Sequence, residues 1–238
     1  MSYGAPAGRS APRTRPVPAP AATGSSAGTV TTMAYVRPLR SAPRVVQPRG
    51  ERIYDQPLPA TVRNAFYTTA RTPIGRAEPM YKQIASQAGI SWKLLAACDW
   101  MQCGAQPHIS PVHGERLGTL NADGTAYTTK SAALAQCAVD LVELAFAVYG
   151  IDLTVPSRMS VQALADVFAA FRWGGLLRRH GVSSMEFPYS VEGLTSSHVK
   201  MRWPAITEPN APDKPGTRFK MPFGAVPVVL SLNYRATV

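Results

Sequence analysis

A mainly α-helical globular domain behind an extended Pro- and Arg-rich N-terminal arm is the fold class this sequence predicts. Three observations lead there. Composition changes abruptly near residue 57, from Pro, Ala, Ser, Gly, Thr and Arg to segments rich in Leu, Ala, Val and aromatic residues. Downstream, apolar residues recur at the i, i+3, i+4, i+7 spacing of a helix with one buried face. The same segments are opened by Ser or closed by Gly, the residues that cap and terminate helices.

The arm covers residues 1–56 and the domain residues 57–238. Between Met1 and Arg52 eight arginines stand against one acid, Glu51, so +7 of the chain's net charge of +11 lies between those two residues, and Asp55 brings the whole arm to +6. A segment of that composition buries too little apolar surface to offset its ordering entropy, so it is expected to be extended unless a partner orders it. The domain is long enough to bury a core without disulfides or a structural metal.

Within the domain the first helix is expected over Ala60 to Ala70. A second is expected from Glu78 to Gln87, with Pro79 in its first turn and Gly89 as its stop. The third runs from Ser91, its N-cap, to Cys103, with Leu94, Leu95 and Cys98 as its buried stripe. His108 to Thr129 is polar, and Asn121-Ala-Asp-Gly124 reads as a turn. A long helix follows from Ser131 to Tyr149, with Leu134, Cys137, Leu141, Leu144, Ala145 and Val148 on one face and Gly150 at its end. Ser160 opens another that reaches Trp173 and stops at Gly174-Gly175. The run Gly224 to Leu232 fits a short helix or a strand, and Pro227 favours a helix starting there.

Three cysteines, Cys98, Cys103 and Cys137, cannot make a paired framework and read as buried free thiols. No apolar stretch approaches the roughly 18 residues of a membrane span, and the N-terminus lacks the apolar core of a secretory signal. Cys98, Cys103, His108 and His113 recur every five residues. Helix positions five apart point to different sides, so no metal set is expected, and no cofactor motif is present. The positive charge calls for an anionic partner without choosing among nucleic acid, cell wall, membrane surface and acidic protein. For nucleic acid the arm is the only candidate, and it lacks the interleaved aromatic residues of a base-stacking surface, so that partner is not favoured.

The run Gly89-Ile-Ser-Trp-Lys-Leu-Leu-Ala-Ala-Cys-Asp-Trp-Met-Gln102-Cys-Gly104 resembles the first catalytic helix of the lysozyme-like peptidoglycan hydrolases of phage endolysins and tail lysozymes. His113-Gly114-Glu115-Arg116-Leu117 is similar to the loop that follows that helix. Phe168-Ala-Ala-Phe-Arg-Trp-Gly-Gly-Leu-Leu-Arg-Arg-His180-Gly181, with Pro188-Tyr189 after it, resembles the family's glycan-lining segment. Thr195-Ser-Ser-His198-Val-Lys-Met-Arg-Trp203 matches a fourth tract, and the four occur in the family's order between Pro79 and Tyr234.

The resemblance implies a lysozyme-like domain with Trp173, Arg178, His180, Tyr189 and Trp203 as glycan-binding candidates. It places Gln102 where the family carries its general acid. A carboxylic acid protonates a leaving glycosidic oxygen, whereas a primary amide has no proton to give. Two other acids could replace it. Asp99 lies one turn earlier on the same helix face, and Glu115 lies in the loop after the helix. The expectation is therefore a catalytically impaired lysozyme-like subunit of a phage tail or phage-tail-like injection particle, a virion protein otherwise cytoplasmic. Residues 1–56 would join it to the other subunits, and peptidoglycan would be its remaining ligand. The alternatives are an active glycosidase using Asp99 or Glu115, and a nucleic-acid-associated virion protein acting through the arm.

Overall fold

The structure is a computed structural model that describes residues 57–155, 159–200 and 221–233. The expected arm and Trp203 lie outside the described residues. Among the described residues the chain is mainly helical. Its extended pairing is limited to two isolated antiparallel bridges, Ile109 with Arg116 and Leu120 with Ala126.

The first two expected helices prove to be one nearly unbroken run. Helix α1 (Ala60–Ala65) passes through a π-helical turn (Phe66–Ala70) into α2 (Arg71–Ala88). Thr69 supports the wide turn by donating its hydroxyl to the Ala65 carbonyl at 2.6 Å. Pro79 lies inside α2 rather than opening it. Its missing N–H leaves the Gly75 carbonyl without its helical donor, but both residues are exposed, so that carbonyl opens to solvent rather than to the core.

Helix α3 (Trp92–Cys103) is buried on all sides from Lys93 to Met101, enclosed by α2, α4 (Lys130–Tyr149) and α8 (Ala225–Asn233). A helix that is apolar around its whole circumference belongs in a core, so the expected three-residue stripe understates its burial. Ser91 makes no side-chain cap. At the other end Gly104 (φ 63°) and then Ala105 (φ 56°) turn the chain out in the left-handed region. For Ala105 that conformation costs on the order of 1 kcal/mol.

In α4 the buried stripe is Ala133, Leu134, Cys137, Ala138, Leu141 and Ala145, packed on α2 and α5 (Val161–Trp173). Thr129 caps it by accepting from the Ala132 N–H at 3.2 Å. Against the expectation of no membrane-length segment, α4 alone among the described residues is long and apolar enough to cross a membrane. Ser160 caps α5 as the sequence predicts, accepting from the Ala163 N–H at 3.0 Å.

Beyond Gly174-Gly175 come three short elements: α6 (Leu176–Arg179), a 3-10 turn (Ser184–Glu186) and α7 (Pro188–Val191). Helix α8 starts at Ala225, which places Pro227 in the first turn, where an N–H has no helical partner to lose. Phe66, Tyr81, Phe168, Phe187 and Phe223 fill the core where these helices meet.

Gly224 brings α8 against α7 backbone to backbone. A Cβ there would stand 2.6 Å from the Pro188 carbonyl oxygen and 2.7 Å from the Ser190 carbonyl carbon. Neither atom is a flexible side-chain end, so the helices must separate. Gly224→Ala is expected to cost about 1–3 kcal/mol, read as a lowered thermal midpoint.

Candidate functional site

Helix α3 places two different polar groups at its C-terminal end. Gln102, half-buried in the last turn, directs its amide to α7, where Nε2 lies 3.4 Å from the Tyr189 hydroxyl. The Tyr189 ring meets Trp173, the last residue of α5, edge-on at 5.5 Å, and Trp173 leans on Phe187 at 5.0 Å. Burial holds the Tyr189 hydroxyl well above its ordinary range, with Arg172 working in the opposite direction. Gln102 and Trp173 thus both meet Tyr189. Contrary to the expectation of glycan-binding rings, Trp173 and Tyr189 are buried in the core, and of the three only Gln102 is partly open to solvent.

One turn earlier, Asp99 points the other way into the protein and is fully buried. Its Oδ2 accepts from the Tyr81 hydroxyl of α2 at 2.5 Å. Its Oδ1 accepts from Lys130 Nζ of α4 at 2.5 Å and from the Cys103 thiol at 2.8 Å. Lys130 Nζ also donates to the Gln106 and Ile109 carbonyls at 2.9 and 2.8 Å, and lies 3.2 Å from Cys103 Sγ. A carboxylate so enclosed has no face open to a substrate. Its role is to neutralise a buried lysine and to tie three helices and the 104–110 segment together.

Burial, with the Asp99 charge second, pushes the Cys103 thiol up to about 12, and Lys130 partly opposes this. Burial and then Asp99 likewise raise the Tyr81 hydroxyl. In the unfolded chain the thiol ionises from its ordinary value of 9.0, while in the fold it keeps its proton to about 12. Above the unfolded value the unfolded state therefore binds fewer protons than the folded one. Stability is full below that value and falls as pH rises through the window towards 12. Urea midpoints at about pH 8 and about pH 10.5 are expected to show the drop, and Cys103→Ser to show a smaller one.

Glu115 lies in the loop that follows α3. Gly114 returns this loop to the helix end, since a Cβ on it would sit 3.7 Å from the Gln102 carbonyl. The Ile109 to Arg116 bridge and the Ser110 N–H to Glu115 carbonyl bond (2.7 Å) hold the turn. Glu115 Oε1 accepts from Asn121 at 3.3 Å. Its buried Oε2 has no hydrogen-bond partner among the described residues.

Arg178 and His180 are exposed at α6, where the Arg178 guanidinium lies over the Tyr149 ring at 5.7 Å. Arg178 thus faces the end of α4. Trp92 is flanked by Lys82 and Lys93, and Trp100 stacks on Phe223 in the core. Among the described residues no three His, Cys, Asp or Glu side chains converge as metal ligands.

Sequence reasoning missed Lys130 and Tyr81. One signal was available for the first. A lysine at the first position of a helix opposes the helix dipole, and so conservative a rule is broken mainly where tertiary structure compensates. Nothing in the sequence separates Tyr81 from an ordinary core tyrosine. Compared with known proteins, the chain matches no family model, no curated protein and no solved structure.

Proposed function

We propose that this chain is a catalytically impaired lysozyme-like subunit of a phage tail or phage-tail-like injection particle. In this reading the domain keeps a peptidoglycan-facing site and residues 1–56 attach it to other subunits. The observation that carries the reading is the group at the end of α3. Gln102, from the tract resembling the catalytic helix, meets Tyr189, which packs on Trp173 beneath it; both rings come from the tract resembling the glycan-lining segment. A primary amide occupies the position from which an acid would work, and Asp99, the nearest carboxyl in sequence, is sealed behind Lys130. Losing one acid abolishes proton transfer more readily than it abolishes contacts to sugar.

The test is muropeptide release from purified cell walls by the wild type beside Gln102→Glu. An inactive wild type and an active variant support the proposal; two inactive proteins that also fail to bind the walls overturn it. A second reading rests on the unpartnered Oε2 of Glu115, on a loop that returns to the same helix end. It makes the wild type an active glycosidase, in which Glu115→Gln abolishes release.

A further inference from the structure

The Asp99 centre contains a feature that its structural role leaves unused. Cys103 Sγ and Lys130 Nζ are 3.2 Å apart, a thiol and an amine in direct contact inside the protein. Asp99 Oδ1 touches both, at 2.8 Å from the sulfur and 2.5 Å from the nitrogen. The three groups form a closed triangle, so a proton leaving the sulfur or the nitrogen has an acceptor already in place. We propose that Cys103 and Lys130 are a site of oxidative cross-linking by dioxygen, joining sulfur and nitrogen through one bridging oxygen atom.

The step balances as one thiol, one ammonium group and one dioxygen giving the S–O–N bridge, one water and one proton. The S–H bond and two N–H bonds break, with the O=O bond. The S–O and O–N bonds form. Dioxygen is reduced, one of its atoms remaining in the bridge and the other leaving as water. Sulfur and nitrogen are oxidised, and Asp99 takes up the released proton before it passes to solvent.

Three aspects of the site favour this outcome over stepwise oxidation of the thiol. Ordinary sulfenic, sulfinic and sulfonic acids form at exposed thiolates, whereas Cys103 is buried and its thiol is held protonated. Dioxygen is small and apolar, so it reaches interiors from which charged oxidants are excluded. The amine is held against the sulfur by Asp99 and by the Gln106 and Ile109 carbonyls, so it competes with water at effectively very high concentration. The bridge spans 27 positions. It closes the whole connection between α3 and α4, including the Glu115 loop, into a covalent ring that constrains the unfolded chain.

The experiment uses the full chain, purified under reductant, then held in air-saturated buffer and measured by intact mass and peptide mapping. A mass gain of about 14 Da is expected, with the Cys103 and Lys130 peptides linked and the gain reversed by dithiothreitol. A change in the thermal midpoint that dithiothreitol reverses is expected to accompany the gain, since the ring constrains the unfolded chain while Asp99 loses its counter-ion. Cys103→Ser, which keeps a hydrogen-bond donor to Asp99, is expected to show neither change. Lysine methylation, of similar mass, would survive dithiothreitol. Stepwise oxidation of Cys103 with a free Lys130, or an unchanged mass after prolonged exposure, overturns the proposal. None of these results depends on whether the domain binds peptidoglycan.

Discussion

Lys130→Met is expected to destabilise the domain by about 3–5 kcal/mol, the largest stability loss that a single side chain here should produce. The magnitude comes from what the substitution leaves behind. Asp99 is fully buried, and without Lys130 its charge keeps only the Tyr81 hydroxyl and the Cys103 thiol as partners. The Gln106 and Ile109 carbonyls lose a donor in the same step. The loss should therefore appear as a reduced urea midpoint and as earlier opening of the 104–129 connection in hydrogen exchange.

The double variant Asp99→Asn, Lys130→Met discriminates between a net attraction and a penalty for leaving one charge alone. A buried ion pair often stabilises little relative to apolar groups of the same volume, because both charges must be desolvated. If the penalty dominates, the double variant recovers much of the loss, and the two single effects are far from additive. A Lys130→Met protein within about 1 kcal/mol of the wild type would show that water reaches Asp99 and that the pair is not sealed.

This centre also marks where sequence reasoning stopped. The α4 and α5 helices were legible because their apolar residues keep helical spacing and because Ser160 and Gly150 punctuate them. Helix α3 was placed correctly, but its burial was underestimated, since enclosure by three helices depends on what packs around it. Local rules put proline at a helix opening, which is where the sequence alone places Pro79. The interior of α2 tolerates it only because Gly75 and Pro79 face solvent. The approach of Tyr189 to Gln102 was not legible, since no periodicity relates residues 87 positions apart. Asp99 was a candidate acid because it shares a helix face with Gln102 on paper. The fold sends one side chain to α7 and the other to α4, and a sequence does not reveal which of two neighbours meets a lysine.

The divergence between those two side chains sets the expected gain for Gln102→Glu. The substitution changes one amide nitrogen to oxygen, so it keeps the shape of the side chain and its approach to the Tyr189 hydroxyl. A carboxyl at this half-buried position is partly desolvated, which raises its pKa and favours the protonated form that a general acid needs. Arg172, whose charge is felt at Tyr189, opposes that shift, so Arg172→Gln in the same protein should move the alkaline limb of the rate profile upward. General acid catalysis typically contributes about 10²–10⁴-fold, and muropeptide release by Gln102→Glu is expected to exceed that of the wild type by a factor in this range. Adding Glu115→Gln then tests the second carboxylate. If Glu115 serves as the base across the site, release falls back to the wild-type level. If release persists, the second group lies elsewhere, and the unpartnered Oε2 of Glu115 belongs to the loop rather than to the chemistry. Equal rates for the wild type and Gln102→Glu would remove position 102 from the reaction altogether, because an isosteric gain of a proton donor cannot be silent at a site where proton transfer limits the rate.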